Sequence, residues 1–238
     1  MQKYLFSLIS IFLLSCSTQE EIEQALDQLA VAKQTFGSNI DFIALANYAN
    51  QGKPSYVTKD NAGGNGIIDK QATLGRVLFY DKKLSIDNSI SCASCHKQAF
   101  AFGDTAVQSV GVLGGRTVRH SMRLINPRFA NESKFFWNER AASLEVQTTM
   151  PIQDHLEMGF SGQMGRGNMA TLLAKLQETP YYSELFTWAY GDNGVTETRI
   201  QSALAQFIRS IQSFDSKFDA GREMSGNDQA PFPNFSAV

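Results

Sequence analysis

The residues best placed to do chemistry are Cys92-Ala93-Ser94-Cys95-His96. Two thiols at i and i+3 share one face of a helical turn, so each can form a thioether to the same macrocycle, and the imidazole next in line can offer a nitrogen to its iron. A c-type haem is tethered in this way. A neutral imidazole suits iron, and a backbone carbonyl commonly holds its other nitrogen. Half of a zinc site is the competing chemistry, but it needs a further thiolate or a paired imidazole, and no second Cys-x-x-Cys occurs in the chain. The expectation is one covalent haem c, anchored by Cys92 and Cys95, with His96 on the iron.

The third cysteine belongs to a different signal. Met1-Gln-Lys3 is a short positive start, Tyr4 to Leu14 is an apolar run too short to span a bilayer, and Leu13-Leu14-Ser15-Cys16 closes it. The pattern is similar to a bacterial lipoprotein signal, with residues 1–15 removed and Cys16 acylated as the first mature residue. An ordinary secretory peptide with an incidental cysteine is the alternative. In the lipoprotein reading the three cysteines are accounted for without a disulfide, Cys16 by lipid and Cys92 and Cys95 by haem. Export to the periplasm or cell envelope, with a lipid holding the protein to the membrane, also fits a cofactor attached outside the cytoplasm.

Helices must position this chemistry, and the chain supplies few strand patterns. Its 238 residues, 43% of them hydrophobic, allow one large domain with extensions, and a net charge of −2 gives no electrostatic footprint for nucleic acid. Glu20 to Phe36 suits an amphipathic helix, and residues 16–66 as a whole read as an anchor helix followed, from Gly37, by an irregular linker with short helical pieces. Asp69 is the expected N-cap of a helix running to Tyr80. From Phe102 to Asn131 the glycines predict a loop whose backbone closes around a planar cofactor. A helix from Glu139 to Met150 is expected to stop before Pro151. Asn168 is expected to cap another helix, which Pro180 interrupts. Ile200, Leu204, Phe207, Ile208, Ile211 and Phe214 fall at helical spacing from Glu197 to Phe214, a face read as core and not as a cofactor box. Residues 216–238 are polar and read as a linker.

Several segments taken in order resemble the N-terminal haem domain of bacterial di-haem cytochrome c peroxidases. They are Leu74-Gly-Arg-Val-Leu-Phe-Tyr-Asp81, Leu84-Ser85, Ile90 to His96, Arg119-His-Ser121, Phe136-Trp137, Arg140-Ala141, Leu144-Glu145, Pro151-Ile152 and Glu157-Met158-Gly159. The resemblance implies a mainly α fold, cytochrome c-like with added helices and long loops, over residues 67–215. It implies reduction of hydrogen peroxide to water with electrons from a small redox protein of the cytochrome c or cupredoxin type. His96 then matches the proximal ligand of the haem at which peroxide reacts, Glu157 a distal carboxylate, Gln147 the amide beside it, and Trp137 a tryptophan between two haems. A desolvated carboxylate suits Glu157 to move a proton between the peroxide oxygens. Arg119 and Arg123 are types that bind haem propionates, His120 reads as structural, and His155 as a surface partner of its neighbours. Met122, Met150, Met158 and Met164 read as core or pocket wall.

Two departures from the family pattern matter. Many members close the resting haem with a histidine in the glycine loop, and matching Ser109-Val-Gly-Val112 to that loop puts Val112 there, so an open or water-filled sixth position is expected. The family also carries a second haem domain, and no second motif exists here; residues 216–238 would lead towards that domain, supplied by a longer chain or a separate subunit. The family's calcium site lies between its two domains and is not assignable here. The competing reading is an electron-transfer cytochrome c or a non-catalytic haem subunit.

Overall fold

Gly75 and Ala203 set the geometry of the central helix pair. A Cβ at Gly75 would lie 2.0 Å from the Ala203 carbonyl oxygen, so only hydrogen lets the two backbones meet this closely. In the computed structural model, which describes residues 27–131 and 134–235, the helices are α1 (Ala30–Phe36), α2 (Asp69–Tyr80), α3 (Cys92–Cys95), α4 (Leu144–Gln153), α5 (Met169–Gln177), α6 (Pro180–Tyr190), α7 (Glu197–Arg209) and α8 (Lys217–Ser225). Only isolated bridges join extended backbone among the described residues, at Lys97 with Gly103, Val110 with Arg116 and Phe135 with Ala141. The mainly α class expected from sequence is the class observed.

The described residues divide into two compact units. The larger comprises Asn47–Leu172 and the chain from Thr196 onward. In it α2 packs along α7, and α4 packs on α7. Leu74, Leu78, Phe79, Leu144, Ile152, Ile200, Ala203 and Leu204 are buried between them. A polar network crosses this core. Arg209, 2% exposed, pairs with Glu145 and donates to Asn61 Oδ1 at 3.2 Å, while the Gln206 amide donates to Asn65 and Gln71 at 2.8 and 2.6 Å. Mutual satisfaction is what makes such groups tolerable in a core. In the smaller unit, residues 27–46 and Leu173–Val195, the Glu184 carboxylate accepts from Val31 and Ala32 N–H at 3.1 and 2.8 Å. It thereby satisfies orphan donors at the positive end of α1.

Several boundaries differ from expectation. Asp69 does not cap α2, which starts at that residue after Ile68; its carboxylate instead accepts from Tyr48 and Ala49 N–H, both at 2.8 Å. The helix expected from Glu139 starts at Leu144, because residues 135–141 fold into a hairpin and Ser143 supplies the cap. It also runs past Pro151 to Gln153; placed near the C-terminal end, the proline removes a single N–H and the helix absorbs the loss. α7 ends at Arg209, short of Phe214. Turns rather than short helices occupy 37–66, and the polar tail carries α8, capped by Ser216. Asn168 Oδ1 does accept from Thr171 N–H at 3.2 Å at the start of α5, and Pro180 opens α6. Residues 1–15, Cys16 and the first part of the Glu20–Phe36 segment lie outside the described residues.

Candidate functional site

Ser91 to Asp104 builds the first wall of a cavity of about 400 Å³. Ser91 N–H donates to the Ser94 hydroxyl at 3.0 Å and His96 N–H to the Cys92 carbonyl at 2.9 Å, closing the turn that brings Cys92, Cys95 and His96 to the cavity. His96 Nδ1 lies 2.9 Å from the Phe102 carbonyl oxygen. That oxygen can only accept, so Nδ1 carries the proton and Nε2 keeps its lone pair. Burial lowers the His96 pKa and keeps the ring neutral. Aiming the carbonyl requires Ala101 and Phe102 in the left-handed region, at φ 55° and 54°, a strain of about 1–3 kcal/mol per residue. Lys97 holds that loop. Its N–H donates to Gly103 O at 2.9 Å, and its ammonium pairs with Asp104 at 2.7 Å. Ser109 Oγ donates to the other Asp104 oxygen, also at 2.7 Å.

A second wall comes from residues 117–122 and the 135–141 hairpin. Arg119, His120 and Met122 line it with Phe136, Trp137 and Arg140. Phe136 and Glu139 take φ of 71° and 55°, and the Arg140 guanidinium lies 3.5 Å above the Phe136 ring. Trp137 Nε1 donates to the His120 carbonyl at 2.9 Å, and its side chain is 61% exposed. The Trp137 indole therefore reaches both the cavity and solvent.

α4 and the turn after it form a third wall with Gln147, Asp154, Glu157 and Met158. Burial pushes the Glu157 carboxyl up to about 7; the Asp154 charge adds to the shift and Arg140 opposes it. Phe79 of α2 and Leu204 and Ile208 of α7 complete the enclosure.

The residues present fit a c-type haem. Two thiols and a lone-pair imidazole nitrogen share one cavity with apolar walls, and Arg119 and Arg140 stand at it as partners for carboxylates. No group of three or more His, Cys, Asp and Glu gathers to hold a metal ion among the described residues.

Cys92, Cys95, His96, Arg119, Trp137, Gln147 and Glu157 all line this cavity. Other sequence readings change. The α7 face read as core also walls the cavity through Leu204 and Ile208. Arg123 does not line it; its stem packs over Gly103. Gly111 and Gly115 meet the Leu156 carbonyl, so these two glycines serve a contact between backbones. Val112 is buried at 1% exposure and is no part of the wall. His120 lines the cavity while its Nδ1 donates to Ala106 O at 2.9 Å, and His155 is bonded to Ser161 at 2.9 Å. Met122 and Met158 are wall residues, whereas Met164 is 89% exposed. Sequence does not single out Asp154, Asn138 and Arg140 as site residues, because their types are common on surfaces.

Residues 69–229 match the model of the di-haem cytochrome c peroxidase family. The chain belongs to that family. Among its relatives, the methylamine utilization protein MauG of Methylophilus methylotrophus is 32% identical over 166 residues, 70% of this chain and 46% of that protein. Cytochrome c551 peroxidase of Nitrosomonas europaea is 31% identical over 72% of this chain and 46% of its own. A solved MauG-like protein associated with microbial copper homeostasis superposes with a TM-score of 0.64 at 29% identity, covering 76% of this chain and 51% of that one. The diheme peroxidase BthA of Burkholderia thailandensis, at 23% identity and a TM-score of 0.55, shares the fold. The chain spans less than half the length of the curated relatives just named. Family membership implies haem c as the cofactor.

Proposed function

We propose that this chain is a peroxide-reducing haem domain, taking hydrogen peroxide to two waters with two protons and two electrons, the electrons coming from a small redox protein. The observation that carries the reading is Glu157, a carboxyl raised to about 7 that lines the same cavity as Cys92, Cys95 and His96. Those three residues would hold one haem c, with Arg119 and Arg140 on its propionates. When bound, the haem supplies an iron that coordinates peroxide and exchanges electrons.

The chain's residues do the rest. Glu157 as carboxylate takes the proton from the near peroxide oxygen and returns it to the far one, which leaves as water. A pKa near the working pH suits both halves of that transfer. The Gln147 amide, on the same wall, orients peroxide or the carboxylate. Trp137 offers electrons a route between the cavity and solvent. His96, fixed as the Nδ1–H tautomer by Phe102, keeps the Nε2 lone pair with which it would hold the iron.

The protein would sit in the periplasm or cell envelope, held by lipid at Cys16; among the described residues no helix is long and apolar enough to cross a membrane. A second haem domain, on a longer chain or a partner, would feed electrons, and calcium would belong to that interface. The identity to MauG supports a second reading, a MauG-like role other than the oxidation of a small donor by peroxide.

Stopped-flow mixing of the haem-loaded protein with peroxide tests the proposal. Glu157→Gln should slow the spectral change by about 10²–10⁴-fold. An unchanged rate would take Glu157 out of the proton transfer and overturn the observation on which the reading rests; no reaction in the parent protein would leave only an electron-transfer cytochrome. Fast reaction with peroxide but no turnover of any small donor would favour the MauG-like reading.

A further inference from the structure

The peptide carrying Glu157 is gripped from two sides. On its own turn, Asp154 Oδ1 accepts from Leu156 N–H at 2.8 Å and from Glu157 N–H at 3.1 Å, and Gly159 N–H donates to the Asp154 carbonyl at 2.8 Å. On the other side, Val112 N–H donates to the Glu157 carbonyl at 3.0 Å. Gly111 and Gly115 press on the neighbouring Leu156 carbonyl, where a Cβ would stand 1.8 and 2.6 Å from the oxygen. Both glycines have negative φ, −102° and −59°, so the requirement here is space and not backbone conformation. Val112, buried beside Gly159, anchors the hairpin.

We infer that Asp154 is a positioning residue for the Glu157 carboxyl, forming with the Gly111–Gly115 hairpin a two-sided clamp that fixes its peptide in the cavity wall. The inference rests on Glu157 being the proton-transfer group. An amide at 154 could accept the same two N–H bonds; what the carboxylate adds is a negative charge three residues from Glu157, on the same wall. Arg140 of the 135–141 hairpin, Cys92 and Cys95 of α3 with His96 after them, and Arg119 and His120 are the other titratable or charged groups of that cavity. The two thiols become neutral thioethers once haem is attached. On the turn itself His155 is engaged with Ser161, and Arg166 donates to the His155 carbonyl. Asp154 is thus the anionic neighbour that supports a raised Glu157, in agreement with the direction of its shift.

Two substitutions separate support from charge. Asp154→Asn keeps the acceptor, and with it the turn, and removes the charge. In the haem-loaded protein the pH midpoint of the peroxide reaction should fall by about one unit, with the plateau rate within about twofold of the parent. Infrared difference titration of the Glu157 carboxyl, referenced to Glu157→Gln, should show the same fall without relying on turnover. Asp154→Ala removes both contributions and should lower the plateau about 10–100-fold at every pH, as misplacement of a reacting group does. Circular dichroism and the haemochrome spectrum verify that each variant is folded and loaded. If Glu157→Gln abolishes the reaction while both Asp154 variants keep the parent midpoint and plateau, the clamp is wrong and the role of Glu157 stands. If Glu157→Gln reacts as the parent does, both fall together.

Discussion

Glu157 titrates near pH 7 because burial withholds water from its charged form, and the same burial works against the fold. The unfolded carboxyl ionises from its ordinary value of 4.5. Between 4.5 and about 7 the unfolded chain sheds a proton that the folded chain retains, so stability falls as pH rises through that window and the penalty is complete above it. Glu157→Gln, neutral at every pH, should raise stability by on the order of 1–2 kcal/mol at pH 8 and leave it unchanged at pH 4, measured by thermal unfolding of the haem-loaded protein. A Glu157→Gln variant no more stable at pH 8 than the parent would show the carboxyl to be hydrated. At this scale sequence reading reaches only residues whose type is itself chemical. A thiol pair and an imidazole at fixed spacing declare a haem, whereas Asp154 and Arg140 acquire meaning only when a turn and a hairpin bring them to one cavity.

At the scale of elements, the pairing of α2, α4 and α7 holds the cavity, and two contacts test it. Gly75→Ala places a methyl where the Ala203 backbone already stands; it should cost about 1–3 kcal/mol by denaturant unfolding, although alanine is the better helix former. A gain in stability would mean that the helices part without cost. Glu145 ties α4 to α7. Burial opposes its ionisation, but hydrogen bonds from Arg209 and Asn65 prevail and hold the carboxyl down at about 2. A depressed carboxylate stabilises above its unfolded pKa, and that contribution drains away as pH falls from 4.5 towards 2. Glu145→Ala should remove this acid sensitivity and cost about 3 kcal/mol at pH 7, because it strands the Arg209 charge in the core. Amphipathic period announces α2 and α7, since it reports burial directly. Hairpin 135–141 overlaps the stretch that reads as helix from Glu139, because it is held by left-handed residues, Phe136 and Glu139, whose types give no sign of that conformation. The glycines of 111–115 read as cofactor loop for want of any sequence sign that they meet Leu156.

At the scale of the molecule, the proposed peroxide reduction consumes two electrons, delivered to the cavity by a donor protein or a further haem domain. Trp137, 61% exposed and also lining the cavity, is the side chain proposed for that passage. Its Nε1 bond to the His120 carbonyl fixes the ring without burying it. Trp137→Phe keeps an aromatic face but loses that bond and the more easily oxidised indole. Steady-state oxidation of a reduced cytochrome c by peroxide should then fall about tenfold or more, while the single-turnover reaction with peroxide, which needs Glu157 and not the donor, should change less than twofold. Equal loss in both assays would instead place Trp137 in the support of the cavity wall. No loss in either would route the electrons through another part of the surface, with the exposed apolar residues Val110, Leu113 and Val118 as the next to substitute.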